Sequence, residues 1–397
     1  MTDFAATRAL FHLPEGVIYL DGNSLGPLPV AATERIARAA RDEGGEMLIT
    51  GWNRAGWMAQ PARLGDRIGR LIGAAPGCAV IGDTLSIKVY QALASALALR
   101  PDRKVILSDT GNFPSDLYMA EGLIAAFRQG HVLKTVAPGE VAGHIDDSVA
   151  VLMLTEVDYR TGRLHDMRAL TAMAHAAGAL TVWDLAHSAG ALPVDVTAAA
   201  ADFAVGCTYK YLNGGPGAPA FIYVAPALAD AVRPALSGWL GHDAPFAFER
   251  RYRPGAGIER MRVGTPPVLQ MAALEAALDI WDKVDMAELR AKSVALTELF
   301  IAGVDADCPG LILNTPRDAS VRGSQVALRH PEGYAVMQAL IARGVIGDFR
   351  APDNLRFGFT PLYIGEDEVK RAVAILKDVL DNRLWDRPEF RARAAVT

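Results

Sequence analysis

Short apolar runs alternate with helical patterns through the first two-thirds of the chain, and this alternation limits the fold more than any other feature. The runs lie at Ala79–Ile81, Val105–Leu107, Val132–Val136, Val151–Leu154, Leu180–Trp183, Phe203–Cys207 and Ala220–Val224. Helical periodicity fills several of the gaps, at Ser86–Leu99, Pro114–Arg128 and Met167–Ala177. Strands separated by helices predict an α/β fold with a mainly parallel, seven-stranded sheet covered by helices. Right-handed crossovers bring the carboxyl ends of parallel strands to one edge, where ligands bind. After a long helical stretch, Val268–Gly303, the pattern resets. Strands at Leu311–Asn314, Ser324–Leu328 and Asn354–Phe359 enclose a helix at Gly333–Arg343, and a last helix covers Glu366–Asn382. That part reads as a smaller α+β domain, and the final RPEFRARAAVT reads as a solvated tail.

Composition narrows the partners. The 397 residues are 51% hydrophobic with a formal net charge of −5, and no basic stripe interrupts them. This argues against nucleic acid or an anionic membrane. No apolar run reaches the roughly 18–20 residues needed to span a bilayer. The N-terminus lacks a basic-then-apolar leader pattern. Cys78, Cys207 and Cys308 lie far apart without metal-type spacing. The expectation is a cytoplasmic enzyme with no metal.

Two strand ends carry chemistry. In GCTYKYLNGGPGAP, Lys210 follows an apolar run and precedes a glycine-rich turn. In VWDLAHSAG, another run ends on Asp184. A lysine able to form an imine, with an acid facing a pyridine nitrogen, is the pattern used to hold pyridoxal 5′-phosphate (PLP). Lys210 alone also suits a lysine reaching out from a strand end, and Asp184 alone suits a helix cap. Their order and placement favour the cofactor. His187 is then placed to hydrogen-bond the cofactor's phenolic oxygen. Gly82–Ser86 closes a strand and opens a helix, whose free amides suit a phosphate, although Thr84 and Ser86 are equally capable of plain capping. Phe113, in GNFPSD, offers a flat ring for stacking or simply a core side chain. Thr155 ends a strand at the same edge. Tyr209 is suited to bond the phosphate or to move a proton.

Seven segments together resemble kynureninases of the bacterial type. They are YLDGNSLGPLP (19–29), GNFPSD (111–116), LTEVDYRTG (154–162), VWDLAHSAG (182–190), YKYLNGGPG (209–217), GWLGH (238–242) and RFGFTPLY (356–363). The resemblance implies PLP fold type I, the aspartate aminotransferase superfamily, and hydrolysis of L-kynurenine to anthranilate and L-alanine in tryptophan catabolism. It implies a homodimer divided into an N-terminal segment (1–45), a large PLP-binding domain (46–275) and a small C-terminal α+β domain (276–397). By the same resemblance Lys210 carries the cofactor, Asp184 meets the pyridine nitrogen and Tyr209 assists catalysis. Leu85, Ser86, Phe113, Asp116, Thr155, His187, Tyr209, Trp239 and Thr265 match cofactor-contacting positions. Arg356 matches the arginine that binds the substrate carboxylate, with Ser24 and Trp52 also on the substrate side.

Two positions depart from the family pattern. Lys88 stands where a polar Asn is expected, and is placed either to touch the phosphate or to point outward. Thr265 replaces the Asn of animal members. With Trp52 it predicts a preference for L-kynurenine over 3-hydroxy-L-kynurenine. Three other activities fit the same fold. A cysteine desulfurase needs a mobile nucleophilic thiol, for which Cys308 is the candidate. An aminotransferase and a catalytically silent PLP-fold protein are the others.

Overall fold

The computed structural model describes residues 2–393. Seven strands form one sheet in the order Ala79–Ile81, Phe221–Val224, Phe203–Gly206, Leu180–Asp184, Val149–Thr155, Val105–Asp109 and Val132–Val136. Only Phe221–Val224 runs antiparallel to its neighbours, so the sheet is mainly parallel as the alternation predicts. The central strands are buried along their whole length, because helices cover both faces. This is why they read as unbroken apolar runs without a period of two. Helices Leu85–Ala98 and Pro114–Phe127 pack on one face, around Val89, Leu93, Ala120 and Leu123. Helices Gln60–Leu71, Met167–Ala176 and Val268–Trp281 contribute to a second core that includes Trp183 and Phe221.

That second core continues into an antiparallel sheet in the order Asp348–Arg350, Asn354–Gly358, Gln325–Arg329 and Ile312–Leu313. Helices Met286–Asp307, Gly333–Ala342 and Glu366–Asp381 belong to this region. The N-terminal strand Ile18–Tyr19 pairs in parallel with Val345–Ile346, so the first residues of the chain are built into its last third.

Several boundaries differ from the sequence reading. The Val268–Gly303 stretch is two helices, because the chain turns at residues 282–285 and Asp285 caps the second by accepting from the amides of Ala287 and Glu288. A domain boundary at 275/276 falls inside the first of these helices, and one at 45/46 falls inside the π-helical stretch Ala39–Glu46. The strand before Lys210 stops at Gly206, one residue short of Cys207. The tail includes a short helix, Pro388–Arg391, with Phe390 packed on the core; residues 394–397 lie outside the described range.

Candidate active site

The loop after strand Phe203–Gly206 turns sharply, with Asn213, Gly215 and Gly217 all at positive φ. Asn and Gly are the residues that tolerate this conformation at low strain. The turn is closed by Gly214 N–H on the Thr208 carbonyl at 2.8 Å and Thr208 Oγ1 on the Pro219 carbonyl at 2.7 Å. A second segment braces the loop from outside. Gly26 N–H donates to the Tyr209 carbonyl at 2.8 Å, and a Cβ at Gly26 would overlap the Lys210 carbonyl oxygen and the Asn213 backbone. Only glycine allows the N-terminal segment to pass this close.

Lys210 is thereby held at the carboxyl edge of the sheet, nine-tenths buried. Its Nζ lies 3.0 Å from His187 Nε2, 5.8 Å from the Phe113 ring centre and 5.9 Å from the Tyr209 ring centre. Burial, reinforced by the Lys210 charge, pushes His187 well below the ordinary imidazole value, so it stays neutral. Asp184 ends its strand and accepts from Ala186 N–H at 2.8 Å. Asp116 hydrogen-bonds to it from the first turn of helix Pro114–Phe127, and both carboxyls are buried. Burial raises both above the ordinary carboxylate value, with Lys210 pulling each back. Two buried carboxyls this close repel each other when both are ionised, which favours keeping one of them protonated. Thr155 Oγ1 donates to the Val157 carbonyl at 3.3 Å and lies 3.5 Å from that of Asp184.

Helix Leu85–Ala98 opens beside this cluster. Thr84 is its N-cap but makes no side-chain capping bond, and the Ser86 hydroxyl pairs with that of Ser115 at 3.0 Å. Neither hydroxyl caps the helix. Lys88 N–H makes a bond to the Thr84 carbonyl, and the amides of Leu85, Ser86 and Ile87 precede it at the helix's positive end. Lys88 neither points outward nor lies free: it is fully buried.

Arg356 is also buried, on strand Asn354–Gly358. Its Nε donates to Asp348 Oδ1 at 2.6 Å, Nη2 bonds Asp348 Oδ2 and, at 3.0 Å, Ser24 Oγ, and Nη1 bonds the Tyr159 carbonyl. The edge of the fork bearing Nε is therefore taken by Asp348, and Ser24 and Tyr159 meet the other edge. Its charge acts on His187, which ties this cluster to Lys210.

The remaining predicted residues form two outer groups. Trp52 packs edge-on against Trp57 at 6.1 Å and Trp239 at 6.5 Å, and Trp239 continues to Phe246 at 5.8 Å. Thr265 is exposed, beside a narrow cleft it shares with Gly82, Asp83 and Lys88. The sequence reading missed Asp348 and its neighbour Asp21, whose carboxyl is pushed up to about 7 by burial and by Asp348. It also missed Glu156, raised to about 7 by burial. Asp348 left no local signal: only the register of the hairpin DFR–APD–NLRFG sets it opposite Arg356. Cys308 is no loop nucleophile. It sits in the core at the end of helix Met286–Asp307, and burial pushes its thiol up to about 11. Among the described residues no cluster of His, Cys, Asp or Glu is arranged to hold a metal.

A lysine above a buried acid pair, at the carboxyl edge of this sheet, defines a protein of PLP fold type I. Solved structures bear out the fold. A cysteine desulfurase from Thermococcus onnurineus NA1 superposes with a TM-score of 0.81, covering 96% of this chain and 99% of that one, at 18% identity. The cysteine desulfurase CsdA of Escherichia coli gives 0.80 over 96% and 99% of the two chains at 20% identity. Identities this low carry the fold alone. The Kynureninase C-terminal domain family matches residues 289–376. The kynureninase of Pseudomonas fluorescens is 53% identical over 99% of this chain and 96% of its own length. That of Burkholderia pseudomallei strain K96243 is 52% identical over the same shares. The chain belongs to the kynureninase family.

Proposed function

We propose that this chain is a PLP-dependent hydrolase that cleaves the Cβ–Cγ bond of L-kynurenine, giving anthranilate and L-alanine. Beyond family membership, one observation carries the reading: the Lys210 amine is enclosed by His187, Phe113 and Tyr209 at the strand edge that also bears the Asp184–Asp116 pair.

The residues present fit the cofactor. The two buried carboxyls carry raised pKa values, and a protonated ring nitrogen is the partner that relieves them. The uncapped helix start at Leu85 offers amides for a phosphate. When bound, PLP supplies an aldehyde for the lysine and a ring that withdraws electrons from the substrate α-carbon. Asp184 holds the proton on the ring nitrogen, and Asp116 orients Asp184. Phe113, whose ring centre lies 5.8 Å from Lys210 Nζ, would stack on the ring. Lys210 Nζ takes the proton from the substrate Cα. Neutral His187 accepts a hydrogen bond without adding positive charge. Tyr209, whose hydroxyl pKa is raised by burial and by Cys207, keeps its proton for delivery to Cβ of the three-carbon fragment that stays behind as alanine. Arg356 keeps one N–H, on Nη1, beyond its bonds to Asp348, Ser24 and Tyr159, and with the Ser24 hydroxyl it would bind the substrate carboxylate and fix its pose, which removes orientational entropy from the barrier.

The outer aromatic group supports a homodimer. Trp239 is 39% exposed, Phe246 62% and Phe248 78%. Apolar rings clustered on a surface mark a contact face, and a second copy would bring Trp239 and Thr265 to its partner's phosphate. Trp52 lines the aryl side of the substrate. The division into residues 1–45, 46–275 and 276–397 stands as a proposal, with its boundaries inside the helical stretches Ala39–Glu46 and Val268–Trp281. No helix among the described residues is long and apolar enough to cross a membrane.

Anthranilate fluorescence from L-kynurenine tests the activity directly. Lys210→Ala should fold, yet lose both turnover and the borohydride-reducible bond to PLP. Turnover at the unsubstituted rate would overturn the assignment of Lys210.

A further inference from the structure

Lys88 is unusual for a helix lysine. Its side chain is fully buried, and its ammonium group has three acceptors: Asp83 Oδ2 at 3.2 Å, Gln91 Oε1 at 3.0 Å and the Met261 carbonyl at 3.1 Å. An ammonium has three N–H bonds, so none is left for a ligand. Gln91 Nε2 also donates to the Met261 carbonyl, at 3.2 Å. The pair thus pins residue 261 to the helix, four residues ahead of Thr265.

Burying a lone charge is expensive. Burial lowers the Lys88 pKa, and Asp83 and the nearby Arg262 act on it in opposite senses. Asp83 is only partly buried, which weakens its compensation. A second anion at the start of the same helix would complete the neutralisation. Side chains in helices point back towards the N-terminus, and Lys88 reaches Asp83, two residues before the first helical residue. Its charge therefore adds to the positive end of the helix dipole.

We propose that Lys88 is the buried counter-charge of this helix start, a positioning residue that strengthens phosphate binding through its field and its hold on Met261, without touching the phosphate. The proposal rests on the reading of the Leu85 helix start as the phosphate site of PLP. It implies that Asp83 opposes binding, since its carboxylate offsets the same charge.

Full-length chain freed of cofactor should be titrated with PLP and with pyridoxal, which lacks the phosphate. The ratio of the two affinities isolates the phosphate's share. Lys88→Met, close in shape but uncharged, should reduce that ratio roughly ten-fold, the scale of one charge interaction in a partly screened site, with pyridoxal affinity unchanged. Asp83→Asn should increase it. Asn tolerates the positive φ of 57° at this position, so this variant answers even if Lys88→Met fails to fold. A purely structural lysine predicts equal losses for PLP and pyridoxal, and that result would overturn the proposal. So would a reduced ratio in Asp83→Asn. If the unsubstituted chain binds PLP and pyridoxal equally, the phosphate site itself is misplaced and both readings fall. If it discriminates and both variants discriminate equally well, only the role of Lys88 falls.

Discussion

Arg356 Nε donates to Asp348 Oδ1 at 2.6 Å, and the two residues face each other in register across a hairpin. Burial opposes ionisation of Asp348, but the hydrogen bonds and charge of Arg356 outweigh it and hold the carboxyl below its usual range. Removing one partner of a buried pair strands the other charge, which costs about 3–5 kcal/mol. Asp348→Ala should therefore lower thermal stability and raise the KM for L-kynurenine together. Arg356→Lys keeps the charge but loses the planar fork. It should weaken substrate binding by about 1–3 kcal/mol while PLP absorbance persists. Unchanged KM in both variants would place the substrate carboxylate elsewhere.

The Asp116–Asp184 pair predicts a pH dependence of the cofactor-free chain. Both carboxyls have raised pKa values in the fold, that of Asp184 to about 6. A raised value means the folded state binds protons more tightly than the unfolded one. The resulting stabilisation is complete below the ordinary value of 3.8 and is lost as pH rises through the folded value. Asp116→Asn removes the repulsion and one titrating group. Melting temperatures between pH 5 and pH 8 should fall less steeply in the variant, on the linkage argument. Parallel slopes would show that the pair does not share a proton.

Gly26 passes against the backbone of the Lys210 loop. Gly26→Ala forces backbone apart rather than a flexible side chain, and overpacking of this kind costs about 1–3 kcal/mol. Reduced stability should come with a displaced Lys210, seen as a shifted absorbance of bound PLP. An unaltered spectrum with full turnover would show that the segment is not a brace.

Trp52, if it lines the aryl side of the substrate as proposed, with Thr265 in place of a longer Asn, bears on substrate choice. An indole offers one donor, and it stacks well on an aniline ring. A ring hydroxyl added to the substrate would be desolvated beside these groups without a good partner. We expect kcat/KM for L-kynurenine to exceed that for 3-hydroxy-L-kynurenine, measured on one preparation. An equal or reversed order would remove the specificity reading and leave the hydrolase assignment standing.

The large sheet was legible in the sequence because burial on both faces writes each strand as an apolar run bounded by turn residues. Lys210 and Asp184 were legible because each ends such a run. What escaped were elements too short to show a period. Ile18–Tyr19, Val345–Ile346 and Asp348–Arg350 have two or three residues each, and they exist through pairing with distant partners. Asp348 escaped with them: a single Asp before an arginine-rich hairpin has no motif, and its role emerges only from register. Lys88 was noticed as a departure, but its burial depends on Gln91 and the distant Met261 carbonyl, which no local pattern reveals.

The parallel pairing of Ile18–Tyr19 with Val345–Ile346 has a consequence for biosynthesis. The GNSLGP segment is translated before the large sheet, yet Val345–Ile346, on which its neighbouring strand docks, is translated after it. Lys210 and its strand are translated long before the brace that covers them can settle. All seven strands of the large sheet precede residue 345, so the sheet can form before its lysine edge is covered. An N-terminal fusion that hinders the threading of Gly26 past the Lys210 loop should then give folded sheet without a finished site.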